Sequence, residues 1–145
     1  MIITVANQKG GIAKTTTCLN LGAAAALDGK QVCLIDLDPQ TNLTKTLIPT
    51  PDLYLIPGAS DLSKLEAASA GDHRKPYLLQ EILEPFALGY DLVLIDTPPA
   101  LGLLTLISLI TAHYLLIPIQ PSIYPLQGTN DLFQTYQIAK KQLNT

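Results

Sequence analysis

Short apolar runs and longer stretches of helical spacing alternate along the chain, and this alternation predicts strands and helices in turn. The clearest apolar runs are short enough to be buried strands, and they occupy residues 2–6, 31–35 and 92–95. Helical spacing is found over residues 14–27, 75–83 and 129–143. Strands with little polar alternation are typical of parallel sheets that are covered on both faces. The pattern therefore predicts an α/β domain with a mainly parallel sheet.

The region between the second and third apolar runs is less regular. It contains three prolines within residues 46–57, and proline interrupts both helices and central strands. Here we predict a short strand, the start of a helix and a polar loop, in that order, over residues 53–56, 61–66 and 69–73.

Two of the predicted helices have apolar positions that should face the core. In the helix at residues 75–83 these positions are Leu78, Leu79 and Ile82. In the helix at residues 129–143 the predicted inward stripe contains more residues, namely Leu132, Phe133, Tyr136, Ala139 and Leu143.

Residues 101–119 contain no charged side chain over nineteen positions, which is long enough to raise the possibility of a membrane span. Gly102, His113 and Pro118 interrupt this stretch. It divides naturally into a helix at residues 103–112 and a strand at residues 114–117. We therefore expect a buried helix and strand, and no membrane span.

The composition fits one covered sheet in a single domain of 145 residues, because 48% of the residues are hydrophobic and only 14% are charged. The net charge of −3 gives no overall basic field for nucleic acid or an anionic membrane. Cys18 and Cys33 lack metal-ligand spacing and have apolar neighbours, so we expect both to be reduced and buried. The N-terminus has no signal-peptide pattern, which favours a cytoplasmic location.

Residues 7–17 have the layout of a phosphate-binding loop, because they join a predicted strand to a predicted helix and contain glycines, lysines and threonines. Backbone N–H groups of such a loop, and the N-terminus of the helix, bind phosphate oxygens. Lys14 would reach the β- and γ-phosphates, and the Thr15 hydroxyl would reach a bound Mg²⁺. The predicted nucleotide-binding set is Lys9, Gly10, Gly11, Ile12, Ala13, Lys14, Thr15 and Thr16. The alternative is a strand-turn-helix corner without a ligand.

This loop departs from the common pattern G-x-x-x-x-G-K-[ST]. Gln8 and Ala13 occupy the two glycine positions, and a second lysine, Lys9, precedes Gly10 and Gly11. A side chain at position 13 is compatible with negative φ in the first turn of the helix and strained at positive φ. Because alanine is a strong helix former, we predict negative φ at Ala13.

Three aspartates follow predicted strands: Asp36 and Asp38 after the second, and Asp96 after the third. The carboxyl ends of parallel strands are where ligands bind in open α/β sheets. Asp36 and Asp38 are two positions apart, so both would point the same way if the strand continued that far. The alternative for residues 38–39 is an ordinary Asp-Pro turn. Together with the phosphate loop, these carboxylates indicate a magnesium site.

The motifs K-G-G-x-x-K-T at residues 9–15, D-P-Q at 38–40 and D-T-P-P at 96–99 resemble those of the ParA/MinD family of ATPases, in particular Soj-like partitioning proteins. The resemblance implies a three-layer α/β/α P-loop NTPase that uses ATP and Mg²⁺. It implies that Lys9 reaches the nucleotide of a partner subunit, whereas Lys14 binds the nucleotide of its own subunit. It also implies that Asp38 positions the attacking water. The implied metal contacts come from Thr15, Asp36, Asp38 and Asp96.

The same resemblance implies an ATP-dependent homodimer, a stimulating partner that is ParB-like or a cargo adaptor, and non-specific DNA binding with nucleoid association. Family members continue beyond the last residue of this chain with the basic residues used on DNA. The resemblance covers residues 2–143, so we expect one P-loop domain, residues 1–145, without the family's C-terminal third and part of its middle segment.

Two other functions remain open at this point. One is a catalytically impaired or truncated nucleotide-binding module, as Ala13 and the short middle segment suggest. The other is an amidating or ligating enzyme of the cobyrinate or dethiobiotin synthetase group, which shares the unusual loop, although the D-P-Q turn argues against it. Iron–sulfur relatives are excluded because no cysteine follows Cys33.

Overall fold

The computed structural model describes residues 1–67, 75–120 and 127–143. Within them, five parallel strands form one sheet in the order β3-β2-β4-β1-β5. The strands are β1 (Ile2–Val5), β2 (Val32–Asp36), β3 (Leu53–Ile56), β4 (Leu92–Asp96) and β5 (Tyr114–Leu116). The helices are α1 (Lys14–Leu27), α2 (Asn42–Thr46), α3 (Leu62–Ala67), α4 (Leu78–Phe86), α5 (Leu103–Thr111) and α6 (Gln127–Leu143), with 3₁₀ turns at Lys75–Tyr77 and Ala87–Gly89.

Helices cover both faces of the sheet, as the continuous apolar strands predict. On β4, Leu92 and Leu94 pack in the same cluster as residues of α1. The alternate residues Val93 and Ile95 pack in a second cluster with Leu83 of α4. Successive side chains of a strand point to opposite faces, so this division produces three layers, α/β/α. The predicted fold class is confirmed.

The strand register brings the ends of three strands to one edge of the sheet. Val5 and Asp36 both pair with Asp96, one on each side of β4. The loops that follow β1, β2 and β4 therefore begin side by side, where ligands bind in sheets of this kind. Cys18 and Cys33 are buried free thiols, as predicted.

The inward face of α4 differs from the prediction. Leu83 is only 1% exposed, whereas Leu78 and Ile82 are 45% and 64% exposed. Leu79 packs on the sheet as predicted, together with Leu83 and Phe86. A helix turns by about 100° per residue, so a row that includes Leu83 places Leu78 and Ile82 on the solvent side. The apolar residues of the sequence are compatible with either row facing the sheet, and packing in the folded protein selects the row that contains Leu83.

In α6, Leu132 and Ala139 are buried as predicted, but Phe133 is 49% exposed, so the predicted inward stripe was too wide. The side chain of Leu143 and the predicted polar loop at residues 69–73 lie outside the described residues. The short helix α2 was not predicted. No helix in the described part of the chain is long and apolar enough to cross a membrane.

Candidate functional site

The loop between β1 and α1 contains two residues in the left-handed region, Gly11 with φ of 70° and Ala13 with φ of 65°. The predicted negative φ at Ala13 is therefore wrong. Ala13 is the N-cap of α1 and lies outside the helix, which begins at Lys14, so its helix propensity does not apply. A left-handed conformation costs a non-glycine residue roughly 1–2 kcal/mol. The rest of the fold stabilises this strained turn.

The Lys14 side chain folds back over the loop. Its Nζ atom donates a hydrogen bond to the backbone carbonyl of Lys9, at 3.4 Å. Burial lowers the pKa of Lys14, while the nearby Asp96 and Asp38 carboxylates oppose that shift. Lys14 is thus a buried cation, and among the described residues its ammonium makes only this long hydrogen bond. Such a group is suited to binding phosphate oxygens.

Thr15 and Asp96 meet at the base of the loop, where the Thr15 hydroxyl donates to Oδ2 of Asp96 at 2.6 Å. The other carboxylate oxygen, Oδ1, is buried and has no hydrogen-bond partner in the described part of the chain. Burial raises the pKa of Asp96 to about 6, although the Thr15 hydrogen bond lowers it. Carboxylate and hydroxyl oxygens are the ligands that Mg²⁺ prefers. The pair therefore fits a magnesium ion better than a purely structural contact.

Asp38 follows β2 and lies beside the loop. Its Oδ1 accepts from the backbone N–H of Gln40 at 2.9 Å, which fixes the turn at Pro39. Asp38 is 6% exposed and lines the cleft described below. Its carboxylate is therefore held rigidly at the position from which it faces a ligand in the cleft.

Asp36 is directed elsewhere, since β2 ends at this residue and the alternation of the strand does not extend to Asp38. Its Oδ1 accepts from the Asp38 N–H at 3.1 Å. Its Oδ2 accepts from the Thr44 N–H at 2.8 Å and from the Thr44 hydroxyl at 2.6 Å. Asp36 thus fastens α2 and the Asp38 turn to the sheet. This agrees with a supporting role, and its predicted direct metal contact stays a prediction.

A cleft of about 510 Å³ opens above these groups, within the range of small-molecule sites. It is lined by seven of the eight predicted nucleotide-binding residues (Gly10, Gly11, Ile12, Ala13, Lys14, Thr15 and Thr16), with Asp38, Asn42, Thr46 and Pro99. Lys9 is exposed and does not line the cleft.

Two polar residues of the cleft, Asn42 and Thr46, were not predicted as site residues. They come from α2, where the spacing of four residues places them on the same side of the helix. The signal in the sequence was the polar segment directly after the D-P-Q turn. It carries no apolar periodicity, and α2 is only one turn long, so the pattern did not reveal a helix.

The chain is similar in sequence and in fold to known proteins. The family described as AAA domain matches residues 1–50 and 45–145. The chromosome partitioning protein ParA of Myxococcus xanthus is 35% identical to the chain, over 99% of this chain and 60% of that protein. The sporulation initiation inhibitor protein Soj of Bacillus subtilis is 34% identical, over 99% of this chain and 68% of that protein.

Among solved structures, cobyrinic acid a,c-diamide synthase of Mycobacterium smegmatis, with bound ADP and magnesium, is similar with a TM-score of 0.88 and 32% identity. The match covers 97% of this chain and 68% of that one. The chain therefore spans about two thirds of the length of the proteins that it matches.

Proposed function

The chain belongs to the ParA/Soj family of P-loop ATPases, and from this premise we propose that it is a switch that binds ATP with Mg²⁺ and hydrolyses it as a dimer. The observation that carries the proposal is the group formed by Lys14, Thr15 and Asp96 beneath the cleft. A buried ammonium lies there near a hydroxyl and near a carboxylate oxygen that has no hydrogen-bond partner among the residues described.

In the proposed reaction, the loop amides and Lys14 bind and neutralise the β- and γ-phosphates. Thr15 and Asp96 hold Mg²⁺, which supplies further positive charge to the phosphates. Asp38 orients the attacking water, since its carboxylate is buried, rigid and open to the cleft. Lys9, which is exposed and does not line its own cleft, stabilises the γ-phosphate of the partner subunit, as an arginine finger would.

The proposed biological role is the partitioning of a plasmid, chromosome or other cargo, with a ParB-like or cargo-adaptor partner that stimulates hydrolysis. Support comes from the names of the two sequence relatives. Non-specific DNA binding belongs to the same proposal, although the net charge of −3 gives no overall basic field for it. We propose that residues 1–145 form one P-loop domain, shorter than the family's full length.

The proposal is tested by ATP binding and phosphate release, with Lys14→Ala and Asp38→Ala as matched variants. We expect the wild type to hydrolyse ATP slowly with Mg²⁺. Lys14→Ala should lose both binding and hydrolysis, because it removes the charge on the phosphates. Asp38→Ala should keep binding and lose hydrolysis by 100-fold or more, because only the water loses its partner. Nucleotide binding without phosphate release by the wild type would favour the impaired module instead.

A second candidate is an amidating enzyme, favoured by the similarity to the cobyrinic acid a,c-diamide synthase structure. Such an enzyme transfers phosphate to a carboxylic acid, so its ATP turnover should require that acid. The switch should hydrolyse ATP with water alone. Asp38 favours the switch, because its buried carboxylate lines the cleft, where it can orient a water molecule. Phosphate release that depends on a carboxylic acid and an amine donor would support the second candidate.

A further inference from the structure

Asn7 is buried at the start of the phosphate loop, and its amide joins two distant parts of the chain. Its Nδ2 donates to the carbonyl of Pro118, which follows β5, at 2.9 Å. Its Oδ1 accepts from the backbone N–H of Lys9 at 3.0 Å. The second bond is an Asx turn, in which a side chain fixes the backbone two residues further on. Asn7 therefore ties the Lys9 backbone to the edge of the sheet.

The other contact of the Lys9 peptide is the long hydrogen bond from Lys14 to its carbonyl. In the proposed function, the Lys14 ammonium binds phosphate oxygens and so leaves that carbonyl. The Lys9 side chain is exposed. It takes no part in the one ion pair found within the described residues, which joins Lys64 to Asp61. Once nucleotide is bound, the hydrogen bond to the Asn7 amide is thus the one that remains between the Lys9 backbone and a side chain of the described residues.

The neighbouring residue Gln8 lies close to the start of α6, since a methyl group added to Gly128 would lie 3.3 Å from its Oε1 atom. The two consecutive residues Asn7 and Gln8 are therefore directed towards the segment after β5 and the start of α6.

We infer that Asn7 is a positioning residue for Lys9: it holds the Lys9 backbone so that the lysine side chain leaves the loop in the direction of the partner subunit's nucleotide. The inference rests on the proposed function, in which Lys9 acts across the dimer. Asn7 itself touches neither the phosphates nor the attacking water in this arrangement. Its removal should therefore affect turnover and dimer formation more than the binding of nucleotide to a single subunit.

The first experiment compares Asn7→Ala, Lys9→Ala and the double variant. We expect Asn7→Ala to lower ATP turnover by about 10- to 100-fold, since a misplaced catalytic group costs that much. ATP affinity should change by less than about threefold, because Lys14 and the loop amides remain. The double variant should be no slower than Lys9→Ala, because both changes remove the same interaction. Multiplied losses, or an equal loss of ATP affinity, would overturn the inference.

Two further variants separate positioning from folding. In Asn7→Ser the hydroxyl still accepts from the Lys9 N–H but is too short to reach Pro118, so turnover should recover at least threefold over Asn7→Ala. Thr4→Val removes a comparably buried hydrogen bond, from the Thr4 hydroxyl to the Ser108 carbonyl at 2.9 Å, away from the cleft. It should leave turnover within twofold of the wild type. Equal losses in Thr4→Val and Asn7→Ala would make Asn7 purely structural.

A measurement without ATP keeps the inference separate from the proposed function. Amide hydrogen exchange at Lys9 should be at least tenfold faster in Asn7→Ala than in the wild type, intermediate in Asn7→Ser and unchanged in Thr4→Val. Unchanged exchange in Asn7→Ala refutes the positioning role directly. Full turnover by Lys9→Ala instead refutes the role of Lys9 in the proposed function, and with it the catalytic purpose of Asn7.

Discussion

Ala13 illustrates, at the scale of one residue, how the phosphate loop differs from an unstrained turn. Its φ of 65° favours glycine, yet its backbone opens α1 and accepts from the Thr17 N–H at 2.8 Å. Strain of this kind is concentrated at ligand-binding loops, where the surrounding structure holds it in place.

We predict that Ala13→Gly stabilises the protein by about 0.5–1 kcal/mol. Relief of the left-handed strain outweighs the extra flexibility that glycine gives the unfolded chain. Urea unfolding measures the change. Ala24→Gly, at an exposed position inside α1, is the matched control and should destabilise by about 1 kcal/mol. A similar loss in both variants would contradict the strain at Ala13.

Asp96 is the second residue whose environment opposes stability. Because burial raises its pKa from 3.8 to about 6, the folded state binds this proton more tightly than the unfolded state does. The free energy of unfolding contributed by this group therefore falls as the pH rises from about 4 to above 6. At neutral pH the ionised Asp96 carboxylate therefore destabilises the folded state.

We predict that Asp96→Asn raises the stability of the protein without metal or nucleotide by about 1–2 kcal/mol at pH 7.5. The full effect of the pKa shift is about 3 kcal/mol, and the unpaired amide removes part of it. The gain should disappear near pH 4, where the aspartate is protonated in the folded state. Unfolding in the presence of a chelator measures it at both pH values. Equal stability at pH 7.5 would show that the carboxylate is not destabilising.

At the scale of elements, the close approach of α1 to the sheet sets the position of the loop. A methyl group on Gly22 would lie 2.7 Å from Cδ2 of Leu34, whose side chain is fully buried. Glycine is otherwise unfavourable within a helix, so the requirement here is space. The helix that begins at Lys14 is thus pressed onto the strand that leads to Asp36.

We predict that Gly22→Ala destabilises the protein by about 1–3 kcal/mol, despite the better helix propensity of alanine, because a close-packed core does not accept the extra methyl group. Leu34→Val should cost about 1 kcal/mol alone and should be less harmful in the Gly22→Ala background, where it makes room. Thermal or urea unfolding of the four proteins measures this coupling. Strict additivity would show that the two side chains do not compete for space.

At the scale of the whole molecule, each active site of the proposed dimer needs residues from both subunits. A Lys9→Ala subunit keeps Asp38 but lacks the lysine that would act on the nucleotide of its partner subunit. Asp38→Ala keeps Lys9 but cannot orient water. Each variant alone should retain only a small residual ATP turnover. In a mixed dimer, one of the two sites combines the intact Asp38 of one subunit with the intact Lys9 of the other.

We therefore expect equal mixtures of Lys9→Ala and Asp38→Ala to recover about a quarter of wild-type ATP turnover, since half of the dimers are mixed and each has one complete site. Phosphate release over a range of mixing ratios measures the recovery. The matched control mixes Lys9→Ala with the Lys9→Ala/Asp38→Ala double variant and should stay inactive. Recovery in that control, or none in the first mixture, would rule out a lysine that acts between subunits.

Local chemistry alone was enough to predict much of this protein. The apolar runs predicted the bounds of all five strands to within one residue, because a strand buried on both faces must be apolar throughout. The loop residues of the cleft were also predicted, since a phosphate site needs glycines, a cation and hydroxyls in consecutive positions.

Only the tertiary structure decided the features that depend on contacts between distant residues. The inward row of α4 is such a feature, because packing against the sheet selects it. The Asn7 bond to Pro118 joins residues that are 111 positions apart. No local pattern encodes such a contact, because its partners meet only when β1 and β5 lie side by side.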